Sequence, residues 1–247
     1  MSDGDNMHTL FAYLRDRWPL RHRLSLPPQA IQRCLTQAKA EPWHGYALQK
    51  RMWRRHVCIA TGWLAEMLPA QATIFEPGCG SGANLLWLAQ QGFTHLSGAD
   101  ISPSALTLCR LLAQASGQPI STWQDDCLHP HNMPQQPFDA MLSVNWLYHV
   151  PGSSLEGFLA TYRPWLRPRG MLFCDCINAS FNSVRNNQFH TSDTALPPEQ
   201  RRPSEYTFRL SVPQVRALAR QQGFAVLRTT RTHSCPQRDV YALQRLE

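Results

Sequence analysis

The stretch IFEPGCGSGANLL, residues 74–86, contains the pattern that decides the fold. A short apolar run meets an acid, and three glycines then occupy alternate positions, Gly78, Gly80 and Gly82. Because glycine lacks a Cβ, this segment can turn tightly and bring its backbone N–H groups close to a ligand. A helix-like sequence follows at once, so we expect a strand, a glycine turn and a helix whose N-terminus faces that ligand.

Strand and helix patterns alternate along the rest of the chain. Capping residues support several of the predicted helices. Ser102 and Gly117 lie at the two ends of one helix, and residues 153–156 and 211–214 have the form of capping boxes. Alternation of this kind predicts a mostly parallel sheet with helices on both faces, whose ligands bind beyond the carboxyl ends of the strands. The predicted strands are 72–75, 94–100, 120–124, 138–147, 170–177, 224–232 and 240–246, and the predicted helices are 83–91, 102–117, 153–166 and 211–223.

Two regions lie outside this alternation. Residues 46–68 have a broad apolar stripe at helical spacing, and we expect the first 70 residues to be largely helical. A polar stretch at about 179–205 interrupts the pattern after the fifth strand. We therefore divide the chain into a helical extension or lid, 1–70, and an α/β domain, 71–247, that contains an insertion.

Composition indicates a protein with a buried core and predicts where in the cell it is located. At 43% apolar residues the chain can bury a sizeable core, and we see neither a signal peptide nor an apolar run long enough for a membrane span. The cytoplasm is the expected location, and the eight cysteines are expected to be buried thiols. Cys174 and Cys176 lack further ligands at suitable spacing, so no metal site is predicted.

The net charge of +7 is unevenly distributed. Residues 1–70 and 181–247 each contain ten Lys and Arg against five acids, whereas residues 71–180 contain four against seven. Solvated arginine-rich faces would explain this pattern, and so would an anionic partner such as a small acid, a phosphate or a nucleic acid.

Acidic residues follow the second and third predicted strands. Asp100 ends strand two, where a carboxylate suits a pair of ribose hydroxyls, although it would also stabilise the N-terminus of the next helix. Asp125 and Asp126 follow strand three, where an acid is suited to the amino group of a purine; an Asx turn before Pro130 is the alternative.

Together these motifs resemble the class I S-adenosylmethionine-dependent methyltransferases of the small-molecule type. The resemblance depends on EPGCGSG at 76–82, GADIS ending the second strand, QDDC at 124–127 and FDAMLSVNWLYHV at 138–150, in that order. It implies a Rossmann-like seven-stranded sheet and S-adenosylmethionine as the cofactor. A nicotinamide dinucleotide is the alternative cofactor, which the acid on the adenine side disfavours.

The resemblance also implies roles for single residues. The loop matching Gly78–Gly82 cradles the methionine part of the cofactor, and Asp100 holds the ribose. Ile101 packs on the adenine, Asp126 and the backbone of Cys127 read its edge, and Asn145 lies near the transferred methyl group. The expected cofactor-binding residues are therefore Glu76, Gly78, Cys79, Gly80, Gly82, Asp100, Ile101, Asp126, Cys127 and Asn145.

The acceptor side is less defined. LYHVP, 147–151, is similar to the end of the fourth strand in small-molecule O-, N- or C-methyltransferases, and His149 is the best candidate for a general base. Tyr148 is a second catalytic candidate, and either side chain would also suit simple packing. Tyr206, Arg209 and Arg55 are expected to bind substrate, while His190 in the insertion is a weaker candidate.

Three functions remain open. The first is methylation of a small molecule, with anionic molecules favoured by a pocket that Arg51, Arg55 and Arg209 would make cationic. The second is an RNA or protein methyltransferase that uses the basic flanks; the Asn/Asp-Pro-Pro-aromatic and Pro-Cys motifs of nucleic-acid enzymes are absent, so nucleic acid is disfavoured. The third is a binding protein that keeps the fold without turnover.

Overall fold

The computed structural model describes residue 14 and residues 19–180, 196–200, 206–233 and 236–247. Within these residues seven strands form one sheet in the order β3-β2-β1-β4-β5-β7-β6. All neighbours are parallel except β7, which pairs antiparallel with both β5 and β6. The strands are β1 Thr73–Pro77, β2 His95–Asp100, β3 Ile120–Gln124, β4 Phe138–Ser143, β5 Leu166–Ile177, β6 Phe224–Thr232 and β7 Arg238–Arg245.

Helices cover both faces of the sheet, as the sequence predicts. Alternate residues of the buried strands enter two different apolar clusters: Ile74 belongs to one and Phe75 to the other. The first cluster includes residues of α1 to α5, and the second includes residues of α6 and α7. These helices are α1 Pro28–Ala38, α2 Pro42–Gln49, α3 Arg55–Met67, α4 Ala83–Gln90, α5 Pro103–Ser116, α6 Leu155–Tyr162 and α7 Val212–Gln221.

Most of the predicted helix boundaries are confirmed. The Ser102 side chain accepts a hydrogen bond from the backbone of Ala105 at the start of α5, and Gly117 ends that helix in a left-handed conformation. Ser211 and Gln214 form the predicted capping box of α7. The expected box at 153–156 is wrong by one residue, because Ser154, not Ser153, caps α6.

The single helix expected over residues 46–68 is also wrong. The chain forms α2, a 3-10 turn at Arg51–Trp53 and then α3. This break places the Arg51 guanidinium in the interior, where it donates to Thr61 Oγ1 at 2.8 Å and also to Asn84. The apolar stripe in the sequence indicates which face of the segment is buried, but it does not indicate where a turn interrupts the helix.

The N-terminal segment shares its core with the sheet. α1 packs against α5, and α3 packs against β5 and β7. Leu24, Ile31 and Leu64 belong to the same apolar cluster as the strand residue Ile74. Residues 19–70 are therefore packed on one face of the sheet. No helix in the described residues is long and apolar enough to cross a membrane.

Candidate active site

The glycine loop joins β1 to α4 at the carboxyl edge of the sheet. Gly78 and Gly80 have φ angles of 65° and 53°, which residues with a Cβ rarely adopt. A Cβ on Gly78 would clash with the Trp146 indole, and one on Gly80 would lie 3.3 Å from the Trp43 ring. The bare backbone is thus needed for the tight turn, as the sequence predicts, and for the close packing of Trp146 and Trp43.

Glu76 stands beneath this loop and is almost fully buried, with 3% of its surface exposed. Its Oε1 accepts a hydrogen bond of 2.6 Å from Asn84 Nδ2, whereas its Oε2 is buried without a partner. Burial raises the pKa of this carboxyl to about 8, against the opposing effects of Asn84 and Arg51. A buried acceptor with no partner suits the positively charged amino group of the expected cofactor.

Asp100 ties the second strand to the loop. One carboxylate oxygen accepts from the backbone N–H of Gly80 at 2.8 Å, and the other accepts from that of Ser102 at 2.9 Å. Each carboxylate oxygen has a further lone pair, so the position predicted to hold a ribose keeps acceptor capacity. The neighbouring Ile101 side chain is 65% exposed, as expected for a surface that an adenine ring would cover.

The two acids after β3 have different roles. Asp125 is buried and accepts hydrogen bonds from the backbone and side chains of His131 and Asn132. Although burial alone would raise its pKa, these bonds lower it to about 2. Asp126 is half-buried and uses one oxygen to accept from the Leu128 N–H. Asp126 therefore fits the predicted role towards adenine, and Asp125 organises the loop.

Cysteines line the underside of the loop. The Cys127 thiol accepts from the Gly78 N–H at 3.3 Å, and Cys79 packs against Gly98. Burial raises the pKa of Cys127 to about 12 and that of Cys79 well above its ordinary value. The seven cysteines in the described residues are all buried free thiols, as predicted, and Cys235 lies outside those residues.

Aromatic side chains that sequence reasoning missed lie over the loop. Trp43 and His44, at the start of α2, are the ring groups nearest to Gly80, and their own rings are in contact, tilted by 32° with centroids 3.6 Å apart. His44 is buried, which lowers the pKa of its ring, and the negative charge of Asp100 opposes this shift. Nothing in the local sequence distinguishes these residues from ordinary helix-packing positions.

A second group of side chains, the polar cluster, gathers at the carboxyl ends of β4 and β5. It centres on Asp175 in β5, which accepts at 2.7 Å from the backbone N–H of Asn145 and at 2.7 Å from the hydroxyl of Tyr148. Arg238, in β7, donates through Nε to the Tyr148 oxygen at 3.1 Å. The cluster consists of Arg54, His56, Asn145, Tyr148, Asp175 and Arg238.

Asn145 is held in an uncommon conformation by this cluster. Its φ angle is 55°, its N–H is bound by Asp175, and its Oδ1 lies 3.1 Å from His56 Nε2. Residues held in such conformations concentrate at functional sites, where surrounding contacts fix them. The positive φ also explains why β4 ends at Ser143 and not at the predicted residue 147.

Burial and charge set the electrostatics of the polar cluster. Burial raises the pKa of the Asp175 carboxyl, although Arg238 and the two hydrogen bonds to Asp175 oppose this. Burial would lower the pKa of Arg238, but the nearby Tyr148 and Asp175 outweigh it and raise that pKa. Arg54 is also within electrostatic range of Tyr148, Arg238 and Asp175. The cluster thus contains two arginines and one carboxylate.

The predicted acceptor-side residues come together around the turn at Leu147–His149. Tyr206 packs against Tyr148 and His149, with ring centroids 6.0 Å and 5.3 Å away, and Arg209 lies over the Tyr206 ring. The Thr207 N–H donates to the Tyr148 carbonyl at 2.8 Å, which docks the segment after the insertion onto this turn. His149 is exposed, whereas Tyr148 is fully buried.

The structure changes one expectation about the basic residues. Arg51 lies under the glycine loop, packed 5.3 Å from the Trp87 ring, and so does not face an acceptor pocket as proposed for it from the sequence. Arg55 is half-buried at the start of α3. His190 and most of 179–205 lie outside the described residues.

Sequence reasoning missed Arg54, His56, Asp175 and Arg238. Asp175 alone gave a usable signal, since a charged residue within the apolar run GMLFCDCI requires a buried partner. No group of His, Cys, Asp and Glu suited to a metal ion occurs within the described parts of the chain.

Comparison with known proteins shows what the middle of the chain is similar to. Residues 74–170 match the family model described as a methyltransferase domain. A protein of Bacillus subtilis (strain 168), YqeM, provisionally assigned as a methyltransferase, is 31% identical over 125 residues, which are 49% of this chain and 48% of that protein. The chain thus spans about half the length of this curated relative.

Solved structures share the fold over a larger part of the chain. The magnesium protoporphyrin IX methyltransferase ChlM from Synechocystis PCC 6803, with bound S-adenosylhomocysteine, has a TM-score of 0.62 at 16% identity, covering 98% of this chain and 97% of that one. An S-adenosylmethionine-dependent methyltransferase from Methanosarcina mazei has a TM-score of 0.60 at 17% identity, covering 74% and 97%. Residues 74–170 therefore resemble a methyltransferase domain in sequence, and the chain shares the fold of solved S-adenosylmethionine-dependent methyltransferases.

Proposed function

We propose that this chain transfers a methyl group from S-adenosylmethionine to an oxygen, nitrogen or carbon atom of a small anionic molecule. The observation that supports this proposal is the polar cluster beside the glycine loop. It lies at the carboxyl ends of β4 and β5, where sheets of this type bind their ligands, and it holds two arginines against one carboxylate.

The residues around the glycine loop fit the cofactor. Glu76 offers a buried acceptor without a partner, Gly78 and Gly80 leave the backbone bare, and Asp100 and Asp126 retain acceptor capacity. When bound, S-adenosylmethionine supplies a methyl group on a positively charged sulfur that needs no further activation. The work left to the protein is to align a nucleophile and, where the nucleophile bears a proton, to accept it.

The acceptor side is proposed to involve the turn at Leu147–His149 and the residues docked on it. His149 is exposed beside Tyr206 and remains our candidate for proton transfer. The fully buried Tyr148 donates to Asp175, which suits a role in holding that carboxylate rather than direct contact with substrate. Tyr206, Arg209 and Arg55 remain candidates for substrate contact, and residues 1–70 remain a candidate lid because Trp43 and His44 lie over the loop.

The first test is cofactor binding, measured by calorimetry with S-adenosylmethionine and S-adenosylhomocysteine. We expect micromolar binding that Asp100→Ala abolishes, whereas Glu156→Ala, which changes an exposed acid on α6, leaves it intact. Absence of binding by folded parent protein would refute the proposal.

The second test is the acceptor class, measured by transfer of a tritiated methyl group from the cofactor. Carboxylic and phosphoric acids of low mass should be methylated in preference to their neutral esters and amides. Preferential labelling of RNA, with strong dependence on salt, would replace the small-molecule proposal by the macromolecular one.

A further inference from the structure

His56 has a buried ring nitrogen without a partner. The side chain is 5% exposed, its Nε2 lies 3.1 Å from Asn145 Oδ1, and its Nδ1 is buried with no hydrogen bond. An amide oxygen can only accept, so Nε2 carries the hydrogen and Nδ1 is left as a bare acceptor. Leaving such a buried acceptor unpaired is unfavourable, which points to a donor in the functional complex.

The charges around His56 keep this nitrogen in its accepting form. Burial is the largest cause that lowers its pKa well below the ordinary value, and the positive charges of Arg238 and Arg54 add to it. Asn145 opposes the shift through its hydrogen bond. Near neutral pH the ring is therefore uncharged.

Arg54 has a positive charge that the cluster does not balance. Asp175 already accepts from Tyr148 and Asn145 and pairs with Arg238 at 3.7 Å. The Arg54 guanidinium forms no side-chain hydrogen bond or ion pair within the described residues. Burial and the charge of Arg238 lower its pKa, and Tyr148 and Asp175 only partly oppose this. A partly buried cation in this position is stabilised when an anion binds beside it.

We infer that Arg54 and His56 form a two-point subsite for a small acid that also bears an O–H or N–H group. Arg54 pairs with the anionic group, and His56 Nδ1 accepts the hydrogen bond from the O–H or N–H group. The inference rests on the proposed function, because the ligand is the molecule to be methylated. Both residues precede the matched range 74–170, so in this proposal the N-terminal segment contributes to the choice of acceptor.

The test uses matched probes on protein saturated with S-adenosylhomocysteine. Propionate offers the anion alone, 3-hydroxypropionate offers both groups, and 1,3-propanediol offers hydroxyls without the anion. Binding is measured by the rise in melting temperature and by the shift of the His56 Nδ1 resonance in protein with ¹⁵N-labelled histidine. We expect 3-hydroxypropionate to bind about tenfold more tightly than propionate, and the diol not to bind.

Two variants separate the two contacts. In His56→Gln the side-chain amide can still donate to Asn145 while the Nδ1 acceptor is lost, so the two acids should bind equally. In Arg54→Gln neither acid should bind. Arg216→Gln and His95→Gln change exposed residues on α7 and β2 and should behave like the parent protein.

These outcomes distinguish the proposed methyltransferase function from the proposed Arg54–His56 subsite. Failure to bind S-adenosylhomocysteine would refute the proposed function itself. Normal binding of S-adenosylhomocysteine with no selective effect of the acids, or with equal effects in Arg54→Gln and the parent, would refute the subsite and leave the methyltransferase proposal intact.

Discussion

Glu76→Gln should stabilise the protein without cofactor and weaken cofactor binding. The carboxyl is buried, and its pKa is raised from 4.5 to about 8. Below pH 4.5 the group is protonated in both the folded and the unfolded chain, so it has no effect on stability. Between about pH 4.5 and 8 the unfolded chain loses this proton while the folded chain keeps it, so native stability falls with rising pH.

The magnitude follows from the size of that shift. Each unit of pKa corresponds to about 1.4 kcal/mol, so the free energy of unfolding loses up to about 5 kcal/mol by pH 8. Glutamine cannot ionise, and its amide oxygen can still accept from Asn84. The difference in stability between Glu76→Gln and the parent should therefore be small at pH 4.5 and grow steadily towards pH 8.

Urea unfolding at half-unit steps of pH measures this difference by linear extrapolation. Glu156→Gln, at an exposed acid, serves as the control and should follow the parent. Calorimetry on the same proteins should show that the cofactor affinity of the parent rises up to tenfold for each unit of pH increase until pH 8, because Glu76 must ionise to bind the cofactor. Glu76→Gln should bind more weakly and without this dependence. Parallel stability profiles for Glu76→Gln and the parent would refute the reasoning.

Two further predictions use matched pairs. Gly78→Ala and Gly117→Ala both place a Cβ at positive φ, at a cost of about 1–2 kcal/mol, but only the Cβ at Gly78 meets Trp146, so only Gly78→Ala should abolish cofactor binding in calorimetry. Asp125→Asn should lower the free energy of unfolding by about 1–3 kcal/mol at neutral pH, an effect that disappears as pH falls from about 4 towards 2, where the lowered pKa of Asp125 lies. Asp126→Asn should instead weaken cofactor binding with little change in denaturant midpoint, and the reverse assignment would show that Asp125 contacts the cofactor.

The sequence pattern was sufficient for the features that depend on neighbours in the chain. Apolar runs of five to eight residues, capping residues such as Ser211 and the spaced glycines each act within one or two turns of backbone. They therefore predicted the seven strands, most helix boundaries and the loop beneath the expected cofactor. The acid at Asp100 was also predictable, because its position is fixed by the end of β2.

The polar cluster depends on contacts between distant parts of the chain, and only the tertiary structure decided it. Asp175 and Arg238 approach one another because β5 and β7 pair antiparallel, and His56 reaches Asn145 because α3 packs on β5 and β7. The same packing turns Arg51 inward and breaks the helix expected over 46–68. Local periodicity in the sequence indicates which residues are buried. The partner of a buried charge depends on strand order and helix packing, which bring distant residues together.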